Sequence, residues 1–193
     1  MTWMILGLVL FVGSHALQAL VPAWRQRQIQ RMGDRPFKAV VSLVALAGFV
    51  GICWGYDLAR SMPMVLWVPP TGMRHVAALL MLVAAWLMVA AFVPGNHIKA
   101  RLRHPMVLSV KVWALAHLLA NGNLEDVILF GSFLAWAVLS FRAARQRDRL
   151  DDPRPSATSA QATWVAVAGG LAVYGVILFK AHAWLVGVSP LGY

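Results

Sequence analysis

Two of the six histidines, His15 and His117, lie inside long apolar segments of the chain. An ionisable side chain within a membrane is costly, so such residues are functional candidates by default. Neutral imidazole costs less to bury than a carboxylate, and histidine is a common axial ligand of haem iron. The pair is therefore suited to the axial ligation of a haem, with His15 and His117 as candidate metal ligands. The alternative is a hydrogen bond across a helix interface that serves packing alone.

The depths of the two histidines are compatible with a shared site. Counting about 1.5 Å per residue along each segment, their depths differ by about 8 Å in a hydrocarbon core of about 30 Å. Ordinary helix tilt removes such a difference, so we expect the two imidazoles to face each other near mid-membrane. Ser14, Gln18 and Asn121 are candidates to bind the second ring nitrogen of each histidine.

Two other residues of the His117 segment are candidate cofactor contacts. Trp113 precedes His117 by one helical turn, as Phe11 precedes His15, and either ring could form a wall of a haem site. Lys111 either extends its ammonium to the membrane surface or lines the site as a cation for a haem propionate or an anionic substrate.

The other four histidines lie near the ends of apolar segments. We expect His97 and His104 to be polar residues of the cytoplasmic interface. His75 and His182 lie near the opposite surface, where they contact lipid headgroups or face a shared cavity.

The segments that position these residues predict an all-α, polytopic membrane helix bundle. Of 193 residues, 60% are hydrophobic, against roughly 45–50% in soluble domains. A spanning helix needs about 20 apolar residues. About six segments approach that length: Trp3–Val21, Lys38–Tyr56, His75–Val93, Pro105–Ala120, Val127–Phe141 and Trp164–Val186. We expect 1–193 to be a single domain, with a tight turn at 121–123 and a flexible cytoplasmic linker at 148–162.

The basic residues predict the orientation of the bundle. The net charge is +10, and most Lys and Arg residues follow the first, third and fifth segments, within 25–38, 99–103 and 142–154. Basic connections stay in the cytoplasm, which places both termini in the periplasm if the membrane is a bacterial inner membrane. Because the charge is spread over loops, it does not predict a nucleic-acid partner. Cys53 is the only cysteine, which excludes an internal disulfide and a cysteine metal cluster.

The ordered motifs of the chain resemble the NnrU family of bacterial membrane proteins. These motifs are FVGSHALQALVP at 11–22, WGYDLAR at 54–60, VPGN at 93–96, RHP at 103–105, KVWALAHLLANG at 111–122 and HAWLVGVSP at 182–190. The resemblance covers nearly the whole chain. NnrU proteins are named for a genetic association with nitric oxide and nitrite reduction in denitrifying bacteria, so it implies a role in that metabolism.

The same family includes a plant relative, zeta-carotene isomerase, a haem b membrane enzyme that converts a cis double bond of a carotenoid to trans. This resemblance implies haem b held by His15 and His117, acting on nitric oxide or a lipophilic polyene. One position departs from the pattern, because the relative has a cysteine where this chain has Ala114. The resemblance therefore does not extend to an isomerase mechanism that exchanges a cysteine ligand.

Two functional classes remain open from the sequence. The first is a haem b membrane protein, and the second is a cofactor-free accessory, assembly or transport protein for denitrification enzymes. The chain has no Walker loop, HExxH motif, nucleophile elbow or dinucleotide fingerprint, so familiar soluble catalysis is unsupported. In both classes the lipid bilayer is the surrounding partner, and the oligomeric state is not encoded in any recognisable pattern.

Overall fold

The computed structural model of the protein describes residues 1–151 and 157–191. Within these ranges the chain is helical, and the only β-type pairing is an isolated bridge between Val65 and Asn123. A π-helical segment, Ile177–Ala181, joins the last two α-helices. The α-helices are α1 (Thr2–Leu20), α2 (Pro22–Met32), α3 (Asp34–Arg60), α4 (Met73–Phe92), α5 (His97–Leu102), α6 (Pro105–Ala120), α7 (Leu124–Asp151), α8 (Ala160–Val176) and α9 (His182–Val186).

The prediction of a polytopic helical membrane bundle is confirmed. Four of the described helices are long and apolar enough to cross a membrane: α3, α4, α7 within Leu124–Leu150, and the continuous run Ala160–Val186. α1 and α2 meet this criterion together but are bent by 85° between Thr2–Leu17 and Pro22–Met32. α6 is apolar but shorter, with 16 residues. Each of the six segments expected from the sequence thus contains a helix.

Several helices differ from the expected segments, and α2 and α7 differ most. α2 occupies a basic stretch that sequence hydropathy assigns to a loop, and Pro22 at its first turn fits the geometry of a helix start. α7 continues ten residues past the expected end at Phe141, because RAARQRDRLD is composed mainly of good helix formers. Residues 152–156 of the expected linker lie outside the described residues. On its far side, the Ser159 amide donates to the Gly95 carbonyl at 2.9 Å.

The long helices pack side by side in the order α3, α1, α7, α6, α4, α8. This order places α7 between α1 and α6, the two helices that carry His15 and His117. Their shared core contains Met4 and Leu8 of α1, Ala114 of α6 and Phe130 of α7. The predicted turn between α6 and α7 is confirmed, since α6 ends at Ala120 and α7 begins at Leu124.

Glycines allow α1 and α3 to approach each other closely. A Cβ atom placed on Gly7 would lie 2.5 Å from the Ile52 backbone nitrogen and 2.7 Å from the Gly48 carbonyl oxygen. Small residues at such crossings provide van der Waals packing where lipid removes the hydrophobic driving force. The α1–α3 pair therefore depends on glycine at these positions.

One end of the bundle is covered by a loop, and we call it the upper end. The loop 61–72 crosses the turn at 121–123, where the Leu66 and Trp67 amides both donate to the Gly122 carbonyl, at 2.8 and 3.1 Å. A Cβ atom on Gly122 would collide with the Trp67 carbonyl, so this approach requires glycine. The opposite, lower end holds α5 and the last turns of α7.

Candidate functional site

His117 lies three residues before the end of α6, at the upper end of the bundle. Its imidazole is partly buried, packing against the Phe130 ring at 4.5 Å and the Trp113 ring at 5.2 Å between centroids. Its Nδ1 lies 2.9 Å from the Trp113 carbonyl oxygen. Because a carbonyl only accepts, Nδ1 donates this bond, and neutral His117 carries its lone pair on Nε2. Within the described residues Nε2 has no hydrogen-bond partner, as a metal ligand requires.

His15 on α1 has the same local arrangement in a more open place. Its Nδ1 donates to the Phe11 carbonyl at 2.8 Å, and its ring packs on Phe11 with centroids 4.4 Å apart. The Trp136 ring meets it edge-on at 6.0 Å. The indole Nε1 of Trp136 is buried without a hydrogen-bond partner in the described part of the chain. His15 is itself exposed on the surface of the bundle.

The partners of these ring nitrogens differ from the ones expected. Both histidines use the backbone carbonyl four residues earlier, whereas Ser14 donates to the same Phe11 carbonyl and Asn121 donates to the His117 carbonyl at 2.9 Å. The side chain of Gln18 lies outside the described residues. The i−4 carbonyl is the nearest acceptor to a helical histidine, and sequence spacing of polar side chains does not reveal its use.

The rings of His15 and His117 are not neighbours in the structure. They flank different members of an aromatic ladder on α7, which consists of Phe130, Phe133 and Trp136. His117 packs on Phe130 and His15 meets Trp136, six residues apart, which corresponds to about 9 Å along the helix. This separation of the two histidines is close to the depth difference of about 8 Å estimated from the sequence. Helix tilt was expected to remove the difference, and in the structure it does not.

Phe133, the middle ring of the ladder, connects the two histidine surroundings. Its centroid lies 5.7 Å from that of Phe11 and 5.3 Å from that of Trp113. Both residues expected as walls, Phe11 and Trp113, thus contact their histidines and the same ring on α7. The result is a continuous aromatic layer that leads from His15 to His117.

The ring that does lie beside His117 is His182 on α9. Their centroids are 6.4 Å apart, and the ring planes are inclined by 22°. His182 Nδ1 donates to the Val188 carbonyl at 2.7 Å. The two residues are 65 positions apart in the chain, and no helical periodicity relates them. The sequence paired His182 with His75, in a shared cavity or at lipid headgroups, and the position of His182 beside His117 is the feature that sequence reasoning missed.

The other histidines have different surroundings. His104 Nε2 lies 3.0 Å from Asp148 Oδ2, and Arg103 and Arg145 lie within 3.7 Å of the same oxygen. His97 binds Thr163 through Nδ1 at 2.8 Å and Thr158 through Nε2 at 3.1 Å. Both rings therefore have polar partners at the lower end of the bundle, and their placement at the cytoplasmic interface stays a prediction. His75 is exposed at the upper end.

Lys111 lies six residues before His117 on α6, about 9 Å away along the helix axis. Its Nζ is 5.8 Å from the centre of the Phe141 ring, which also meets His104 edge-on. This position corresponds to a side chain extended toward the lower end of the bundle. A contact between Lys111 and a cofactor stays a prediction, and in this structure the ammonium is not directed at His117.

A buried acidic pair lies close to His117, at the start of α7. Glu125 and Asp126 are 1% and 3% exposed. The Tyr56 hydroxyl donates to Asp126 Oδ1 at 2.6 Å, and the Arg60 guanidinium lies 5.6 Å from the centre of the Tyr56 ring. Glu125 Oε1 is buried with no hydrogen-bond partner among the described residues. A buried carboxyl oxygen without a partner is costly. Helix packing alone therefore does not explain why Glu125 lies at this end of the bundle.

These ligand sets favour one kind of metal centre over another. Within the described ranges, no group of three or more His, Cys, Asp or Glu side chains is arranged to hold a metal ion. Haem iron needs only one or two protein ligands, because the porphyrin supplies the other four nitrogens. The isolated Nε2 atoms of His15, His117 and His182 fit a haem in this respect, and a fully protein-ligated metal ion does not fit.

Comparison with known proteins agrees with the motif resemblance. The model of one family, described as NnrU protein, matches residues 3–190. No curated protein and no solved structure matches the chain. The family match covers almost every residue from α1 to the C-terminal turn and includes all the helices described above. The chain belongs to the NnrU family.

Proposed function

We propose that this NnrU family membrane protein binds haem b between its helices, with His117 as an iron ligand. The observation that carries the proposal is the state of the His117 ring, whose Nδ1 is held by the Trp113 carbonyl at 2.9 Å while Nε2 has no partner among the described residues. A histidine that serves helix packing alone would use both polar atoms or face lipid headgroups. His15, which has the same arrangement, is the second ligand implied by the family resemblance.

The protein's own residues would do three things for a bound haem. The carbonyl of Trp113 fixes the tautomer and orientation of His117, which raises the basicity of the ligating nitrogen. The rings of Trp113 and Phe130 pack against the imidazole and limit its contact with water. The loop 61–72 closes the upper end above them.

Bound haem would supply an iron centre that takes a small ligand such as nitric oxide or polarises an unsaturated lipid. We propose this chemistry as the protein's role in nitric oxide and nitrite reduction, or as an isomerase-like activity on a lipophilic polyene. A thiol-exchange mechanism is not part of the proposal. Ala114, at the position of the relative's cysteine, is fully buried against the α1 core and has no ligating atom.

The test is haem content. The protein is expressed with haem supplied, purified in mild detergent, and its haem is quantified against protein for the natural chain and for His117→Ala. His104→Ala is a matched control, because His104 is held by Asp148 at the lower end. Near-stoichiometric haem in the natural chain and the control, with loss in His117→Ala, supports the proposal. A well-folded natural chain without haem would favour the cofactor-free accessory role instead.

A further inference from the structure

The spacing of the His117 and His182 rings is compatible with two imidazoles on one metal. Metal–imidazole bonds are about 2.0–2.1 Å long, so two rings on opposite sides of one metal have centres about 6 Å apart. The centroids of His117 and His182 are 6.4 Å apart. By contrast, His15 meets the aromatic ladder about 9 Å further along α7, with the ring of Phe133 linking the two surroundings.

Both rings are held in the same tautomer by separate parts of the backbone. His117 donates Nδ1–H to the Trp113 carbonyl on its own helix, and His182 donates Nδ1–H to the Val188 carbonyl beyond α9. Each neutral ring therefore carries its lone pair on Nε2. The two Nε2 atoms cannot hydrogen-bond to each other in this state, since neither has a proton. Two histidines that stabilise a helix contact would form a hydrogen bond with one Nε2 as donor. Two histidines that ligate one metal need a lone pair on each Nε2.

The chain is shaped locally to place His182. The π-helical segment Ile177–Ala181 ends directly before it, and π-type turns are rare and frequent at functional sites. The additional residue per turn rotates the residues that follow relative to a continuous α-helix. Gly187, with φ of 74°, then reverses the chain so that the Val188 carbonyl reaches the ring. The Arg60 guanidinium secures the same turn by donating to the Val186 carbonyl at 2.8 Å.

We infer that His182 is the haem ligand opposite His117, in place of His15. The inference rests on the proposed haem function and gives the haem a location at the upper end of the bundle, next to the Tyr56–Asp126 hydrogen bond. His15 is then an exposed residue of the aromatic layer and not a ligand. The ligand pair joins α6 to α9, so bound haem would link the C-terminal helix to the core.

The inference is tested by the iron's spin state in haem-loaded protein, measured by absorption and electron paramagnetic resonance. We expect a low-spin, six-coordinate iron in the natural chain and in His15→Ala. We expect a high-spin iron or at least a tenfold weaker haem affinity in His182→Ala, with the low-spin signal restored by added imidazole. Size-exclusion elution in detergent checks the fold of each variant.

His182→Met provides a second readout that does not depend on the loss of haem. Methionine can ligate haem opposite histidine and raises the reduction potential, so this variant should keep its haem and shift its potential upward. An unchanged low-spin spectrum in His182→Ala together with its loss in His15→Ala would overturn the inference while leaving the haem function intact. Absence of haem from the natural chain would contradict the proposed function itself, and the ligand assignment with it.

Discussion

The Tyr56 hydroxyl donates a 2.6 Å hydrogen bond to Asp126 Oδ1, joining the last turns of α3 to the first turn of α7 across 70 residues of sequence. Asp126 is 3% exposed, so the bond provides a partner for a carboxylate that water does not reach. The guanidinium of Arg60 lies over the Tyr56 ring. The upper end of the bundle is thus held by charge and hydrogen bonding, next to the His117–His182 pair.

Replacing Tyr56 with phenylalanine should destabilise the protein. Loss of a hydrogen bond to a buried charged group costs about 1.5–3 kcal/mol, which corresponds to a fall of several degrees in Tm. Tyr174→Phe is the matched control, because in the described residues the Tyr174 hydroxyl has no hydrogen-bond partner. Thermal unfolding in detergent measures both variants, and equal Tm values would show that the Tyr56–Asp126 bond contributes nothing.

The close approach of α1 and α3 predicts different effects at two glycines of the same helix. Gly7→Ala places a methyl group 2.5 Å from the Ile52 backbone nitrogen, so the helices must separate and Tm should fall. Gly13→Ala meets nothing within 4 Å, and it should leave Tm unchanged or raise stability by up to about 1 kcal/mol. Thermal unfolding followed by circular dichroism measures both. A Gly7→Ala protein as stable as Gly13→Ala would contradict the packing described for α1 and α3.

Arg60 should control the mobility of the C-terminal helix. Arg60→Gln removes the hydrogen bond from the Arg60 guanidinium to the Val186 carbonyl. The end of α9 is then no longer hydrogen-bonded to α3. We expect faster amide hydrogen exchange in residues 182–188, measured by mass spectrometry. Arg74→Gln, a change at an exposed arginine of the same end, serves as the control. Exchange that is identical in the two variants would show that Arg60 does not hold α9.

The orientation predicted from the basic loops can be tested with single cysteines. Cys53→Ser removes the only natural thiol, and Met62→Cys or Ala157→Cys then adds one at an exposed position of each end of the bundle. A membrane-impermeant maleimide added to intact spheroplasts should label position 62 and leave position 157 unlabelled until the cells are lysed. The reverse pattern would invert the topology, and labelling of both positions would reject the crossing number assumed for it.

Sequence periodicity predicts the helices of this protein better than it predicts their contacts. Apolar length alone finds segments that each contain a helix, of which four are long and apolar enough to cross a membrane. It overlooks α2, whose basic residues offset its hydrophobicity although Pro22 begins a regular helix. It also ends α7 too early, since the helix continues into a charged stretch. Hydropathy measures burial in lipid, whereas helix length depends on backbone propensity and local ion pairs.

In the candidate site, too, the sequence predicts contacts within one helix but not contacts between helices. Trp113 and Asn121 lie within one helical turn of His117, so their proximity follows from spacing. The neighbour from a different helix, His182, depends on the π-helical segment and on the turn at Gly187, and neither is visible as a hydrophobic pattern. The separation of His15 from His117 depends on α7 packing between α1 and α6, which is a property of helix order.

The central claim is that His117 binds haem iron. The most direct measurement is the absorption spectrum of detergent-purified protein, oxidised and then reduced with dithionite, beside His117→Ala and His97→Ala. We predict a Soret band with sharp reduced bands in the natural chain and in His97→Ala, whose ring is held by Thr163 and Thr158, and no such bands in His117→Ala. A folded His117→Ala protein that keeps the full spectrum would contradict the account.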